Sequence, residues 1–270
     1  MLGRRQAILV ILLFGFFPLL YFVSAAIVAL INLRKGLQEG LIALLWSMLP
    51  AGILFAFGKD ATPVILFIGV TVFAQMLRKT ESWSTVIMCC IGLGLISQLS
   101  LIWQSDYTSQ VNQMITEAVV AQQNQGDQPV YNAEQLVSML LGLYGAYHMA
   151  FTLLCLMLAR WWQAAMYNPG GFRLEFHELK FKPQLMLVLL GLILAGMMNI
   201  EPLATWLPIF CLPPIFGGMA VIHSVVAKKQ LGSAALIIGY VTLFIMAPII
   251  VLLGLLDSVV DLRKKMNKAR

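Results

Sequence analysis

The sequence predicts an all-α, polytopic transmembrane helix bundle. Hydrophobic residues make up 60% of the 270 residues and charged residues only 11%, whereas a soluble domain has about 45–50% and about 25%. A soluble domain of this length cannot hide so much apolar surface in one core. The apolar residues also form continuous runs, unlike the short alternating segments of a membrane β-barrel. A lipid bilayer is therefore the expected solvent.

Eight apolar segments divide the chain. They cover 7–33, 41–57, 62–77, 84–103, 136–159, 184–200, 203–226 and 231–257. A helix needs about 20 residues to cross a hydrocarbon core of ~30 Å. The second, third and sixth segments are short for a free span, so we expect local tilt or tight packing there. Residues 1–270 are expected to form a single integral membrane domain.

The longest polar stretch, 104–135, contains eight glutamines and no Lys or Arg. In fact, no basic residue occurs between Lys79 and Arg160. A segment without positive charge, flanked by two good spans, is expected on the outer face of the membrane. The stretch is therefore predicted to be a periplasmic loop.

Apolar residues within this loop recur at helical spacing and predict a short amphipathic helix followed by a turn at 126–129. The alternative is a flexible polar loop. The apolar positions are Val111, Met114, Ile115, Ala118 and Val119.

The positive charges indicate where the two ends of the chain lie. If all eight segments cross once, ten of the 18 Lys and Arg lie inside and eight outside. If the first and last segments each enter and return on one side, 17 of the 18 lie inside and only Lys59 lies outside. Positive residues favour the cytoplasmic side, so the second arrangement is preferred.

Prolines near the middle of both terminal segments support this arrangement. Pro18 and Pro248 each remove a helical hydrogen bond and kink or break the helix. Each segment is too short for two full crossings but long enough for two helices of half depth. We therefore predict about six full spans plus two proline-broken terminal segments. The alternative is that each terminal segment is one kinked span.

Polar residues inside apolar runs are costly and become functional candidates. Interhelical hydrogen bonds could equally explain the glutamines, and a histidine in such a run could be structural. A polar group before a proline could simply mark the water boundary. The candidate ligand-binding residues are His148, Gln98, Asn199 and Glu201.

No catalytic constellation is present in the sequence. Paired carboxylates, a nucleophile elbow, a metal-ligand cluster and a phosphate-binding loop are all missing. His148, His177 and His223 could form a metal site only by coincidence of the tertiary fold. We therefore expect no enzyme activity, no catalytic residue, no metal and no cofactor. A membrane enzyme acting on lipid or polyprenyl carriers is the least favoured class. Without an extended basic face, nucleic acid is not an expected partner.

The loop 160–183 is predicted to be cytoplasmic. Asn168-Pro169-Gly170-Gly171 is a strong turn signal. A short amphipathic helix should follow, because Phe172, Phe176 and Leu179 fall on one helix face. This helix is expected on the membrane surface or against the helix bundle; a docking face for a cytoplasmic partner is the alternative. The motif residues of the loop are Arg160, Trp161, Asn168, Pro169, Gly170, Gly171, Arg173 and His177.

The last residues, 258–270, are predicted to form a basic cytoplasmic tail. Asp257 and Asp261 lie four residues apart, on one helix face. Arg263 follows closely and could pair with either of them. The expected role of this cluster is to anchor the last helix at the cytoplasmic surface.

Three sequence stretches resemble a known family. They are Arg-Trp-Trp-Gln…Tyr-Asn-Pro-Gly-Gly-Phe-Arg…Glu-Phe-His in 160–177, Gly-Met-Ala-Val-Ile-His at 218–223, and Gly-Leu-Leu-Asp-Ser-Val-Val-Asp-Leu-Arg at 254–263. The chain is similar over nearly its whole length to the YybS-like predicted membrane proteins of bacteria, a domain family of unknown function. The resemblance implies a bacterial inner-membrane protein. Family members have been compared with substrate-binding subunits of vitamin-type transporters, which implies a small-molecule binder by analogy of fold.

The sequence therefore leaves two alternative functions. The first is a small-molecule transporter or its substrate-binding membrane subunit, because broken helices often line a midplane site in transporters. The second is a non-enzymatic scaffold or assembly factor for a cell-envelope complex, with the bilayer and another membrane protein as partners. Small residues suited to close helix contacts favour the second. These are Ala25, Ala26, Ala29, Gly92 and Gly94.

Overall fold

The computed structural model describes residues 3–59, 61–124 and 132–264. Helices account for its regular structure, and no β-strand occurs among these residues. The predicted all-α fold is therefore confirmed.

Thirteen α-helices and one short 3-10 turn, Leu101–Trp103, follow one another in the described residues. The helices are α1 (Arg4–Gly15), α2 (Tyr21–Lys35), α3 (Leu37–Gly58), α4 (Thr62–Thr80), α5 (Trp83–Ser100), α6 (Ser105–Asn124), α7 (Ala133–Gly142), α8 (Tyr144–Tyr167), α9 (Gly171–His177), α10 (Pro183–Met197), α11 (Leu203–Lys228), α12 (Ser233–Ile245) and α13 (Ala247–Val260).

The chain separates into two compact units. Unit 1 comprises Met1–Lys79 and Gly92–Ala159. Unit 2 comprises Thr80–Ile91 and Arg160–Arg270. The three boundaries between the units lie at the end of α4, within α5 and within α8.

Five helical stretches of the described residues are long and apolar enough to cross a membrane. They are Leu37–Gly58, Thr62–Thr80, Trp83–Trp103, Ala133–Tyr167 and Leu203–Lys228. These stretches make the chain a multi-pass membrane protein. The sixth apolar segment, 184–200, contains α10, which has only 15 residues and a length of ~22 Å, less than a full crossing.

The first apolar segment folds back on itself as hairpin 1, formed by α1 and α2. The Ser24 hydroxyl of α2 donates a hydrogen bond of 2.9 Å to the carbonyl oxygen of Ile11 in α1. In one straight helix, residues so far apart in the chain would be separated by ~20 Å. At the open end, Arg4 Nε lies 3.5 Å from Oε2 of Glu39, just beyond the end of α2. The segment therefore begins and ends at one end of unit 1, and the prediction of a broken segment is confirmed.

The last apolar segment is also broken, and its helices α12 and α13 form hairpin 2. The two helix axes differ in direction by 108°. Nζ of Lys228, at the end of α11, donates to the carbonyl oxygen of Arg263, which follows α13, over 3.4 Å. The two ends of hairpin 2 therefore also meet. The break falls at Met246, and Pro248 lies in the first turn of α13, where proline is well tolerated.

Close backbone packing joins α11 to α13. A Cβ atom added to Gly254 would overlap the carbonyl oxygen of Pro214, and one added to Gly218 would overlap that of Ile250. Only glycine allows such an approach, as is typical of membrane helix pairs. This contact fixes hairpin 2 on the longest span of unit 2.

Other prolines lie inside continuous helices. Pro50 lies in α3, and Pro208, Pro213 and Pro214 lie in α11. Proline lacks an N–H group, so the carbonyl group four residues earlier receives no helical donor. A proline in an apolar run therefore does not by itself end a helix in this chain.

The polar stretch 104–135 contains the predicted helix, which is longer than expected and extends over α6. The predicted turn at 126–129 lies outside the described residues. α7 begins with a capping box: Asn132 Oδ1 accepts from the Gln135 amide at 2.8 Å, and Gln135 Oε1 accepts from the Asn132 amide at 3.1 Å. This arrangement satisfies N–H groups that the first helical turn leaves unpaired.

Candidate functional site

A tight turn connects α8 to α9. Gly170 has a φ of 86°, in the left-handed region that glycine adopts without steric cost. The Gly171 amide donates to the carbonyl oxygen of Asn168 at 2.9 Å, and the Asn168 side chain fills the space that a Cβ of Gly171 would need. The predicted turn is therefore present. The irregular part of the loop begins only at Asn168, because α8 continues through Tyr167.

Glu175 holds α9 in place within unit 2. Arg160 donates to it through two nitrogens, with Nε 3.0 Å from Oε2 and Nη2 bonded to Oε1. Nε1 of Trp83 donates to the same Oε2 over 3.1 Å. A guanidinium and a carboxylate paired in this two-pronged way are strongly oriented. The loop therefore has a defined position relative to the end of α8 and the start of α5.

The apolar face of α9 packs against other helices of unit 2. The ring centroid of Phe172 lies 5.9 Å from that of Trp83, and Phe176 lies 5.2 Å from His223. Leu179 is buried as well. α9 therefore packs against the helix bundle, one of its expected surroundings, while Phe172 and Phe176 remain partly exposed.

Arg263 ties the end of hairpin 2 to the segment after α9. Its side chain is 91% buried. Nε and Nη2 donate to Oδ2 of Asp257 at 3.1 and 2.6 Å. Nη1 donates to the carbonyl oxygen of His177 at 2.6 Å, and Nη2 also donates to that of Leu179 at 2.8 Å. The guanidinium thus satisfies groups from two separate parts of the chain, as the expected anchoring role requires.

A second ion pair lies beside it at the surface. Nζ of Lys180 lies 2.7 Å from Oδ2 of Asp261. The hydrogen bond from Lys180 is the main reason that the pKa of Asp261 lies below its usual range. Both carboxylates near the end of α13 are therefore matched by a positive charge.

Two open cavities lie at this end of unit 2. The first has a volume of about 480 Å³ and the second about 530 Å³. The first is lined by Leu174, His177, Glu178, Lys180, Ser224, Lys228, Asp261, Arg263 and Lys264. The second is lined by Arg173, His177, His223, Val226, Ala227, Gln230, Leu231, Ser233 and Leu236. His177 is common to both walls.

His177 lies in a positive environment. Partial burial lowers the pKa of His177, and the positive charges of Arg173, His223, Arg263 and Lys228 lower it further. The imidazole is therefore held in its neutral form near pH 7. An anion in either cavity would offset these charges and favour the protonated ring.

The predicted cytoplasmic motif is divided in the structure. Arg160 donates hydrogen bonds to Glu175, and residues 168–171 form the turn before α9. Arg173 and His177 line cavities. Trp161 is more than half exposed, as suits a side chain at the membrane boundary.

His148, the first candidate ligand-binding residue, is buried in unit 1 with only 1% of its surface exposed. Nδ1 lies 2.9 Å from the carbonyl oxygen of Tyr144, and Nε2 lies 3.1 Å from Oγ1 of Thr62. Since a carbonyl oxygen can only accept, Nδ1 carries the proton and Nε2 accepts from the threonine hydroxyl. Both ring nitrogens of the neutral imidazole are satisfied, which fits a structural histidine.

Gln98, the second candidate, connects α5 to the start of α8 within unit 1. Its Nε2 donates to the carbonyl oxygen of Leu141 and its Oε1 accepts from the Gly145 amide, both at 2.8 Å. The Gly145 amide lies in the first turn of α8 and has no helical acceptor. Gln98 therefore acts as a helix cap supplied by a neighbouring helix.

Asn199 and Glu201 lie between α10 and α11, in unit 2. Asn199 has a φ of 59°, a conformation that asparagine tolerates better than most residues. Glu201 is exposed, and its Oε2 accepts from the Thr205 hydroxyl at 2.9 Å. The four candidate ligand-binding residues are therefore divided between the units, and none of them lines either of the two cavities at the end of unit 2.

The sequence did not show that His223 and Lys228 of α11 lie beside residues of the loop 160–183 in the fold. His223 lies 6.2 Å from His177 between ring centroids, and Lys228 reaches Arg263. A histidine and a lysine near the end of a span were visible in the sequence, but their neighbours in the fold were not. Among the residues that the structure describes, no group of three or more His, Cys, Asp or Glu is placed to hold a metal ion.

Together, the helices and this basic end define a multi-pass α-helical membrane protein with two open cavities at one end of unit 2. Comparisons with family models, curated proteins and solved structures find no match to this chain.

Proposed function

We propose that the chain is a small-molecule transporter of the bacterial inner membrane, or the substrate-binding membrane subunit of one. The observation that carries the proposal is that each compact unit contains one broken helical hairpin, hairpin 1 and hairpin 2. Interrupted apolar segments in both halves of a membrane protein are typical of transporters. Their freed backbone groups are tolerated only beside protein or a watery cavity.

The YybS-like family is proposed as the source of the three motifs. Residues from each motif meet in unit 2: His177 from the first lies beside His223 from the second, and Arg263 from the third donates to the carbonyl oxygen of His177. Motifs that are far apart in the chain but adjacent in the fold point to one shared feature. This supports a binding function at the basic end of unit 2.

The scaffold alternative has less support. Ala25, Ala26 and Ala29, which suggested a helix face for a partner, are fully buried inside unit 1. They already serve contacts within the chain. Gly94 is also buried, whereas a Cβ atom added to Gly92 would meet nothing within 4 Å.

Ligand screening tests the proposal. The protein is purified in an uncharged detergent, and its melting temperature is measured with pools of cellular metabolites. A ligand at 100 times its Kd adds about 2.7 kcal/mol to the free energy of unfolding, so a binding pool should raise the melting temperature clearly. Failure of every pool, together with co-purification of a stoichiometric membrane partner, would overturn the proposal in favour of the scaffold.

Uptake into proteoliposomes then tests whether hairpin 1 takes part in transport. Pro18→Ala restores the backbone N–H group that proline lacks in the turn between α1 and α2, whereas Pro183→Ala changes an exposed proline at the start of α10. We expect Pro18→Ala to lose uptake of the identified ligand and Pro183→Ala to retain it, provided that both variants melt cooperatively. Equal uptake by the two variants would show that hairpin 1 is not part of the transport machinery.

A further inference from the structure

The second cavity contains one permanent positive charge, that of Arg173, with two histidines and no acidic residue in its wall. Arg173, His177 and His223 line it, and none of its lining residues is Asp or Glu. Among the residues that the structure describes, the Arg173 guanidinium makes no hydrogen bond or ion pair. An arginine carries five N–H donors in a fixed planar fork and remains charged at every physiological pH. Its donors therefore face the cavity and the solvent.

The first cavity differs in this respect, although it shares His177. There, Lys180 is paired with Asp261, and Arg263 is paired with Asp257. Positive groups that are already matched have little left to offer a bound anion. In the second cavity, by contrast, the charge of Arg173 has no acidic partner in the wall.

The remaining wall of the second cavity is mainly apolar. Val226, Leu231 and Leu236 line it, with the amide of Gln230 and the hydroxyl of Ser233 between them. A volume of about 530 Å³ falls within the range of small-molecule sites, about 300–1,000 Å³. The wall thus suits a ligand that has an anionic group at one end and an apolar stem at the other.

We propose that the second cavity binds a phosphate group carried on an apolar stem, with Arg173 as the principal contact and His177 and His223 as further donors. The arginine fork matches two phosphate oxygens at once. The cavity lies where α11 ends and α12 begins, at the end of an apolar span, and basic pockets in such positions bind lipid headgroups. A soluble phosphate ester presents the same chemistry. This phosphate-binding proposal does not rest on the proposed transport function.

The test uses the full chain in uncharged detergent and compares two sources of phosphate. One arm titrates mixed micelles of phosphatidic acid, with phosphatidylcholine of the same acyl chains as the reference. The other arm titrates inorganic phosphate and glycerol phosphate. Each is measured with wild type, with Arg173→Gln, and with Lys182→Gln, a matched loss of charge at an exposed residue of the same loop that lines neither cavity.

The proposal expects wild type to bind at least one phosphate source more tightly than phosphatidylcholine. Loss of hydrogen bonds to a charged group should weaken binding by Arg173→Gln about tenfold or more, while Lys182→Gln stays close to wild type. Binding only in the micelle arm identifies a lipid headgroup, and binding in the soluble arm identifies a free phosphate ester. The proposal is overturned if wild type binds neither source, if Arg173→Gln binds as wild type does, or if Lys182→Gln weakens binding as much as Arg173→Gln.

Discussion

Nε of Arg263 lies 3.1 Å from Oδ2 of Asp257, and both residues are more than nine-tenths buried. A charge left without its partner in such a place is strongly unfavourable. The same guanidinium bonds the carbonyl groups of His177 and Leu179. One side chain therefore connects the end of hairpin 2 to the segment that follows α9.

Arg263→Gln should destabilise unit 2. The change removes the positive partner of Asp257 and leaves the carboxylate buried. Such a loss lowers the free energy of unfolding by about 3–5 kcal/mol. The measurement is thermal or denaturant unfolding of the purified protein in detergent. Lys264→Gln, an exposed change one residue later, should leave the melting temperature almost unchanged. Equal melting of the two variants would show that the pair contributes nothing.

Gly254→Ala should loosen the contact between α11 and α13. The added Cβ would overlap the carbonyl oxygen of Pro214, which is backbone and cannot rotate away. Overpacking of this kind costs about 1–3 kcal/mol. Gly191→Ala in α10 is the control, since its Cβ would meet nothing within 4 Å and alanine favours a helix. The idea fails if Gly254→Ala melts at or above the temperature of Gly191→Ala.

Labelling of single cysteines tests whether hairpin 1 re-enters. In a background without native cysteines, Arg5→Cys and Lys35→Cys should react with an impermeant maleimide from the same side of the membrane. Lys59→Cys, at the far end of α3, should react only from the opposite side, because α3 has 22 residues and is ~33 Å long. Labelling of positions 5 and 35 from opposite sides would mean that the segment crosses once.

The stability of the protein should depend on pH through His177. Partial burial and nearby positive charge lower the pKa of His177 in the folded state, while the unfolded chain keeps a value of about 6.5. Between these values the unfolded state binds more protons, so the free energy of unfolding falls as the pH falls through this window. Below the folded pKa the dependence on this group ends.

Unfolding midpoints measured from pH 7.5 to pH 5 check this expectation. His177→Gln should flatten the slope, because the variant has no group to titrate at that position. Lys182→Gln does not titrate in this range and should keep the slope of wild type. A wild-type slope in His177→Gln would assign the dependence to another group.

Most of the architecture could be predicted from the sequence, because bilayer solvation demands long apolar runs. The charge count also indicated that both terminal segments double back, and the contacts of Ser24 with Ile11 and of Lys228 with Arg263 agree with it. The positions of the helix breaks were harder to predict from the sequence. Pro18 marks one, but Pro50 lies inside α3, because neighbouring groups can replace a lost hydrogen bond. Sequence position alone does not show those neighbours.

The candidate site was predicted less well. The loop 160–183 was singled out through its turn and its aromatic residues, and Arg173 and His177 do line a cavity. His148 and Gln98 attracted attention as polar groups in apolar runs, yet each satisfies backbone or hydroxyl partners in unit 1. A polar residue that caps a helix cannot be told from a ligand-binding residue by sequence alone, because its hydrogen-bond partners come from distant parts of the chain.

The prolines of α11 give that helix an uneven stiffness. Pro208 and Pro213 lie before the contact with α13, which includes the carbonyl group of Pro214 and the backbone of Gly218. Bending should therefore concentrate upstream of the glycine contact. The part of α11 before Pro214 should therefore bend more easily than the part that packs on α13 and ends at the cavity wall.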